Sequence, residues 1–505
     1  MIAQSQEQVE QWAMYEVELA GPSEGNPFVG TALSAVFTHA ETGKTYEPEG
    51  FYDGNGAYKI RFMPDEQGQW TYHTKSNRDT LAGKKGTLTC LPPSEGNHGP
   101  VGVRDRYHFE YADGTNYFPF GTTIYEWAFQ DKKDQTIETL KNSPFNKVRM
   151  LAVPPAGGEY ENGGSDELEH FPFEGSPETH WNFARFNPTF FQQLEEQIMR
   201  LQDIGMQVDL ILFRPYDYGR WGFDEMDPET NARFTRYMVA RFAAFKNIWW
   251  SLANENSFME SITDEEWSSL FKLVKEKDPY NHLRSIHNAD RLYDYNKPWV
   301  THASLQYYNA VRAPGVPAML RDIYRKPIVL DEIHYEGNIS SRWGQLSGEE
   351  MTYRFWTAYS GGAYATHGEA VNDGWIANGG KLTMESPERI AFLKQILEDG
   401  PEQGLEPIDH WYWRNLAGKE GDYYLYYLGK RTPDNWKFEL PEDGLEEGDQ
   451  FRVDVIDTWN MTITPTEKVY EVERKDGYRF VDIDGKEVEL PGKPYIAIRI
   501  QRVAE

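Results

Sequence analysis

Cysteine is almost absent from this chain: Cys90 is alone in 505 residues, so no internal disulfide can form. Long apolar runs are missing too, and none reaches the ~18 residues that would suggest a membrane span. Positive charge is scarce, with 51 Lys and Arg against 80 Asp and Glu and a net charge of −29. That balance argues against nucleic acid and against anionic membrane surfaces, since both need a basic face. The opening residues Met1-Ile2-Ala3-Gln4-Ser5-Gln6-Glu7-Gln8 lack a basic n-region and an apolar h-region, so the chain reads as cytoplasmic with no signal peptide. There is no repeat and no low-complexity tract. Neither His-x-His nor His-Glu-x-x-His occurs, so no metal or other cofactor is expected, although His287, His334 and His367 fall near predicted strand ends. What the chain does have is aromatic rings, with 16 Trp and 31 Tyr. Flat rings stack on the C–H faces of sugars; they also build large cores.

The length implies more than one core. Residues 1–92 read as an N-terminal β-sandwich, with alternating stretches at 9–19, 31–39, 57–63 and 68–74 between Gly, Asn, Pro and Asp turns. Residues 93–103 form a turn-rich linker. From 104 to 402 short apolar runs alternate with amphipathic helical stretches, the pattern of a parallel sheet with crossover helices. Eight strands are expected, at 117–122, 147–152, 207–213, 248–253, 283–287, 303–306, 327–330 and 363–366. Helices are expected at 188–204, 229–245, 264–277, 316–323 and 348–360. The first opens with Asn187 as N-cap and Pro188 at its first position, and stops at Gly205. Eight βα units in about 300 residues match a central (β/α)8 TIM barrel. Residues 403–505 return to β and read as a C-terminal β-sandwich, giving a multidomain fold with the barrel flanked on both sides.

In such a barrel the chemistry sits at the C-terminal ends of the strands. Strand four ends in Trp249-Trp250-Ser251-Leu252-Ala253-Asn254-Glu255 and strand seven in Pro327-Ile328-Val329-Leu330-Asp331-Glu332. Each apolar run delivers a carboxylate to the mouth. Retaining glycoside cleavage needs two, one holding a proton and one ionised, ~5–5.5 Å apart. The spacing of 332 − 255 = 77 residues fits three βα units of roughly 25–30 residues. A side-chain amide at Asn254 can hydrogen-bond a sugar 2-OH. Candidate sugar contacts at other strand ends are Trp127 and Glu126, Arg214, Tyr216, Asp217 and Trp221, His287 and Asn288, His334, Tyr335 and Glu336, and His367, Glu369 and Trp375. For each of these, loop packing is the competing reading.

Three stretches also carry a family likeness. The Asn-Glu pair after strand four and the Glu after strand seven resemble the clan A retaining glycoside hydrolases, and most nearly their apiosidase-like barrels. The likeness rests on Phe145-Asn146-Lys147-Val148-Arg149, on 250–256, and on 326–337. It extends to Tyr58-Lys59-Ile60-Arg61-Phe62-Met63-Pro64 with Gly68-Gln69-Trp70 in the preceding β-domain. It implies Glu255 as acid/base, Glu332 as nucleophile, Arg149 as the cation that keeps Glu332 ionised, a strand-six tyrosine at the nucleophile (Tyr307 or Tyr308, with Tyr307 preferred), and Trp375 as the floor of a sugar subsite. Next to the nucleophile the chain departs from the family's Gly-Glu-Pro, carrying Asp331-Glu332-Ile333.

These features together predict a retaining exo-β-glycosidase acting on short plant-derived oligosaccharides or glycosides. The exo preference rests on the inferred location and on the insert at 157–184, which could wall off one end of a cleft or serve as a contact in a homo-oligomer. Two alternatives stay open: a non-catalytic carbohydrate-binding barrel, and a transglycosylase using the same residues.

Overall fold

The computed structural model describes residues 7–154, 169–176, 179–217, 219–306, 311–371, 374–408 and 416–503. At its centre eight parallel strands close on one another. They are β1 (Phe120–Thr123), β2 (Lys147–Leu151), β3 (Gln207–Phe213), β4 (Ile248–Ala253), β5 (Arg284–Ser285), β6 (Ala303–Gln306), β7 (Ile328–Glu332) and β8 (Tyr364–His367). Their order is β5-β4-β3-β2-β1-β8-β7-β6, and a parallel bridge from His287 to Ser304 joins the two ends. Every residue of these strands is buried, as expected where helices cover the outside and side chains fill the inside.

Among the described residues seven helices of nine or more residues follow the strands: α1 (Lys133–Lys141), α2 (Pro188–Asp203), α3 (Pro228–Phe242), α4 (Asp264–Lys277), α5 (Gly315–Tyr324), α6 (Gly348–Ser360) and α7 (Ser386–Glu398). Sequence rules account for their ends. Pro188 opens α2 after an extended Asn187, although the Asn187 side chain makes no capping bond, and Gly205 takes φ +77° just beyond the helix. Asp227, Thr263 and Ser347 each accept a backbone N–H of the helix they precede, satisfying a donor that has no partner within its own helix.

Three strands differ from expectation by more than one residue. β1 starts at Phe120 rather than at 117, because Tyr117 pairs with Phe109 in a separate sheet. β5 is two residues long rather than five, because side chains replace the ladder at that seam. Ser285 Oγ donates to the His302 carbonyl at 2.6 Å and accepts from the Ser304 N–H at 3.1 Å. Asn288 Oδ1 accepts from the Gln306 N–H at 3.0 Å. β7 runs two residues further than expected, so that Glu332 ends the strand instead of following it, and a register shift at Leu305/Gln306 brings Gln306 opposite Glu332.

The strand Val101–Arg104, which begins in the stretch expected as linker and ends at the first residue expected for the barrel, pairs with His108–Tyr111, which pairs with Asn116–Tyr117. This small sheet floors the barrel: the Phe109 ring centroid lies 5.1 Å from Trp249 and 5.5 Å from Tyr364. The stretch expected as one strand at 9–19 is broken at Trp12 (φ +61°) into Glu7–Glu10 and Tyr15–Ala20. These two segments belong to two different sheets that share a core of Phe37, Phe62, Trp70 and Leu88. That unit docks on α2 and α3 through ion pairs among Arg61, Asp53, Glu195 and Arg241. The C-terminal region is also β, with a core of Tyr424, Phe438, Phe451 and Tyr470. It packs on α6, where Tyr427 lies 5.3 Å from Trp356.

Candidate active site

At the end of β4 the backbone turns sharply. Glu255 adopts φ +45°, ψ +49°, a left-handed conformation that is unfavourable for a residue with a Cβ and clusters at functional sites. Hydrogen bonds hold the kink on both sides: Asn254 N–H donates to the Phe213 carbonyl at 2.9 Å and Asn256 N–H to the His287 carbonyl at 2.9 Å. Glu255 is 8% exposed. Burial and then the charge of Glu332 push its pKa up to about 8, against a smaller pull from the Gln306 side chain.

Glu332 is 4% exposed and has a different set of neighbours. Tyr125, just past β1, donates its hydroxyl proton to Glu332 Oε1. Arg149 Nη1 lies 3.4 Å from the same oxygen, and Arg149 Nη2 donates to Asn254 Oδ1 at 2.9 Å. One guanidinium therefore bridges the strand-four and strand-seven ends. The Tyr335 hydroxyl also reaches Glu332. Sequence reasoning expected Arg149 to depress this carboxyl. Instead its pKa is raised, because burial outweighs Arg149, Tyr125 and Tyr335, which all act the other way. Those opposing donors are what separates it from Glu255, whose rise is large.

His287 stands beside the pair, with Nδ1 3.9 Å from Glu332 Oε1. It is fully buried, and burial together with Arg149 and Lys147 holds it neutral, well below the usual imidazole range. Neither ring nitrogen has a hydrogen-bond partner among the described residues.

The other sequence candidates divide. Glu255, Glu332, Arg149, Asn254 and His287 come together. Arg214 sits one strand along, with Nη2 donating to the Tyr216 carbonyl at 2.8 Å and Nη1 3.9 Å from Glu126. Trp221 packs against Phe171 and Trp181, with centroids at 4.9 and 6.3 Å. This aromatic group joins the β3 loop to the hairpin Phe173–Ser176/His180–Phe186 of the insert. Trp375, His367 and Trp127 are not part of the carboxylate cluster. Trp375 is fully buried and donates its indole N–H to Thr122 Oγ1 at 2.7 Å. His367 lies 3.2 Å from the same hydroxyl and stacks on Phe145 at 4.8 Å. Trp127 is fully buried in the main core. Tyr307 and Tyr308 lie outside the described residues.

Sequence reasoning missed Tyr125. The signal was there, since it lies between strand one and the named pair Glu126 and Trp127. It was passed over because the tyrosine at the nucleophile was sought on strand six. Among the described residues no group of three or more His, Cys, Asp or Glu is placed to hold a metal, and no helix is long and apolar enough to cross a membrane.

Comparison with known proteins gives the family and the fold. Residues 104–428 match the model of the apiosidase-like catalytic domain, while residues 8–77 and 411–501 match two domains of unknown function. The chain is similar to a putative glycoside hydrolase from Bacteroides vulgatus of known structure, with 40% identity over 99% of this chain and 100% of that one and a TM-score of 0.93. A family 5 glycoside hydrolase from the same organism shares the fold at 11% identity, over 80% of this chain and 93% of that one, with a TM-score of 0.56. Among curated proteins none matches the chain. With the barrel, its paired carboxylates and a family match over most of its length, this chain belongs to the apiosidase-like family of glycoside hydrolases.

Proposed function

We propose that the protein is a retaining exo-β-glycosidase acting on short plant-derived oligosaccharides or glycosides, with Glu255 as acid/base and Glu332 as nucleophile. The observation that carries this reading is the contrast between the two carboxyls. Glu332 is gripped by a guanidinium and two phenols, which favour its charged form. Glu255 has burial and the charge of Glu332 against ionisation, so it holds a proton near neutral pH. In the first step Glu255 gives its proton to the glycosidic oxygen as that oxygen leaves the anomeric carbon, and a Glu332 oxygen bonds to that carbon. In the second, Glu255 takes a proton from water, whose oxygen displaces Glu332 and frees the sugar. The exo reading rests on the insert, whose Phe171 and Trp181 pack on Trp221 of the loop after β3.

The test is a panel of aryl β-glycosides, with the first-formed anomer followed by proton NMR. The β anomer appears first if the mechanism is double displacement, and an α anomer rules it out. Wild-type protein that cleaves no sugar of the panel, and binds sugars equally well as Glu332→Ala, would favour a binding barrel. Competition between water and added acceptors distinguishes a transglycosylase.

A further inference from the structure

A second layer of charge crosses the barrel directly below the site. Lys147 is fully buried, with its Nζ 2.7 Å from Asp331 Oδ1 and 3.3 Å from Asp209 Oδ2, and 5.5 Å from the centre of the Trp249 ring. Asp331 also accepts from Ser304 Oγ at 2.6 Å and from Thr366 Oγ1 at 2.7 Å. Three strands besides its own thus contribute to fixing this one carboxylate, β2, β6 and β8. Arg149 stands between the layers. Its Nε lies 3.3 Å from Asp209 Oδ2 and 3.9 Å from Asp331 Oδ1, while its Nη atoms reach up to Glu332 and Asn254.

The guanidinium is therefore contested: two carboxyls below and one above compete for it. Buried charges interact far more strongly than in water, so the outcome depends on what neutralises the lower pair. Lys147 is the cation within ion-pair distance of both Asp209 and Asp331 that has no contact with Glu332.

We propose that Lys147 is a positioning residue for the reaction: by neutralising Asp331 and Asp209 from below, it leaves Arg149 free to hold Glu332. The proposal deepens the glycosidase reading and rests on it for its kinetic consequence. Asp331 is held well below the usual carboxylate range: burial works against this, but Lys147, Arg149 and the Ser304 hydroxyl outweigh it. Among the described residues, the groups around Glu332 are Tyr125 after β1, Arg149 from β2, Asn254 and Glu255 after β4, His287 after β5, Gln306 from β6, and Asp331 and Tyr335 from its own segment. Of these, Arg149 alone carries a fixed positive charge, so drawing it downward raises the Glu332 pKa.

Three variants test this on the full-length protein. Lys147→Met should raise the acid limb of the kcat/KM profile by about one pH unit, the lower end of what a nearby charge does to a carboxyl, with kcat falling and KM little changed. Lys147→Met/Asp331→Asn removes a cation and an anion together and should return the limb toward the wild-type position. Asp331→Asn alone should lower it. A purely structural role for Lys147 would lower activity without moving the limb. If Lys147→Met does not fold, the other two variants still decide, because an unmoved limb in Asp331→Asn overturns the proposal. A second readout needs no substrate: the Glu332 titration, followed by carbon-13 NMR of carboxyl-labelled glutamate with Glu332→Gln as the assignment control. If the Glu332 titration shifts as stated while no glycoside is cleaved, the glycosidase reading fails and the role of Lys147 stands. If glycosides are cleaved and neither limb nor titration moves, the role of Lys147 fails alone.

Discussion

Two buried charge clusters in this protein have opposite balances. At the junction of the N-terminal β unit with α2 and α3, the buried Arg61 and Arg241 meet the buried Asp53 and Glu195, two cations against two anions. Burial there would raise both Asp53 and Glu195, yet Arg241 and its neighbours outweigh it, and both carboxyls sit below their ordinary values. Inside the barrel, Lys147 and Arg149 face Asp209, Asp331, Glu332 and Glu255, two cations against four carboxyls. Burial prevails at three of those four, and Asp209, Glu332 and Glu255 are all raised. A balanced cluster locks two surfaces together with no proton to spare. A cluster short of cations must bind protons, and a general acid must hold one.

The largest expected effect tests the cation-poor cluster. Glu332→Ala should lower turnover of an activated aryl β-glycoside by roughly a thousandfold or more, as loss of a covalent nucleophile does elsewhere. Azide added to that variant should restore cleavage and give the α-glycosyl azide, because the small anion enters from the vacated face. An unchanged rate in Glu332→Ala would remove the nucleophile assignment and with it the functional half of the comparison.

Next in size is the balanced cluster. Arg241 is fully buried and contacts Asp53 at 2.7 Å and Glu195 at 2.6 Å. Arg241→Met leaves those anions short of a partner and should cost about 3–5 kcal/mol, the range for breaking a buried pair from one side. Thermal or denaturant unfolding measures it, and the pH–rate profile should keep its shape. The linkage sign can be checked too. Asp53 and Glu195 are depressed in the fold, so their contribution is present above the ordinary values of 3.8 and 4.5 and fades as pH falls below them. Wild type should lose that increment in acid, and Arg241→Met should lose less.

Glu255 has the reverse sign. Its folded pKa of about 8 exceeds the ordinary 4.5, so ionisation opposes folding as pH rises between those values. Activity should fall as pH passes about 8, when the acid loses its proton. Glu255→Gln should abolish that limb and gain stability at pH 9 relative to pH 5. If Glu255→Gln is destabilised equally at both pH values, Glu255 does not hold the proton assigned to it.

How far the sequence foretold each cluster follows from the range of the forces involved. Strand ends and helix starts are local, and β3, β4, β6, α4 and α6 fall on the residues where periodicity and caps placed them. Glu255 and Glu332 could be picked out because each ends an apolar run. The Tyr125–Glu332 and Lys147–Asp331 contacts could not, because they join residues 207 and 184 positions apart and depend on which side chains turn inward together. β5 escaped for a similar reason: Ser285 and Asn288 make the bonds a ladder would have made, and no hydrophobic alternation encodes that exchange. The rise of the Glu332 pKa was hidden as well. A sequence shows that a cation is available but not how completely the site is buried.

The smallest expected effect asks whether burial, rather than ion pairing itself, makes the junction strong. Arg236 on α3 makes a two-pronged contact with Glu49, both bonds at 2.6 Å, on the same junction that holds Arg241. Its geometry is as good as that of Arg241, but its side chain is 56% exposed whereas that of Arg241 is fully buried. Water reaches Arg236, and Lys277, 3.1 Å from Glu49, stays with that carboxylate when Arg236 is gone, so Arg236→Ala should cost less than about 1 kcal/mol, and raising the salt concentration should shrink that loss further. Equal losses for Arg236→Ala and Arg241→Met would mean that the junction depends on contact geometry alone. A several-fold difference would place its stability in the desolvated centre, where Arg61 and Arg241 share Glu195.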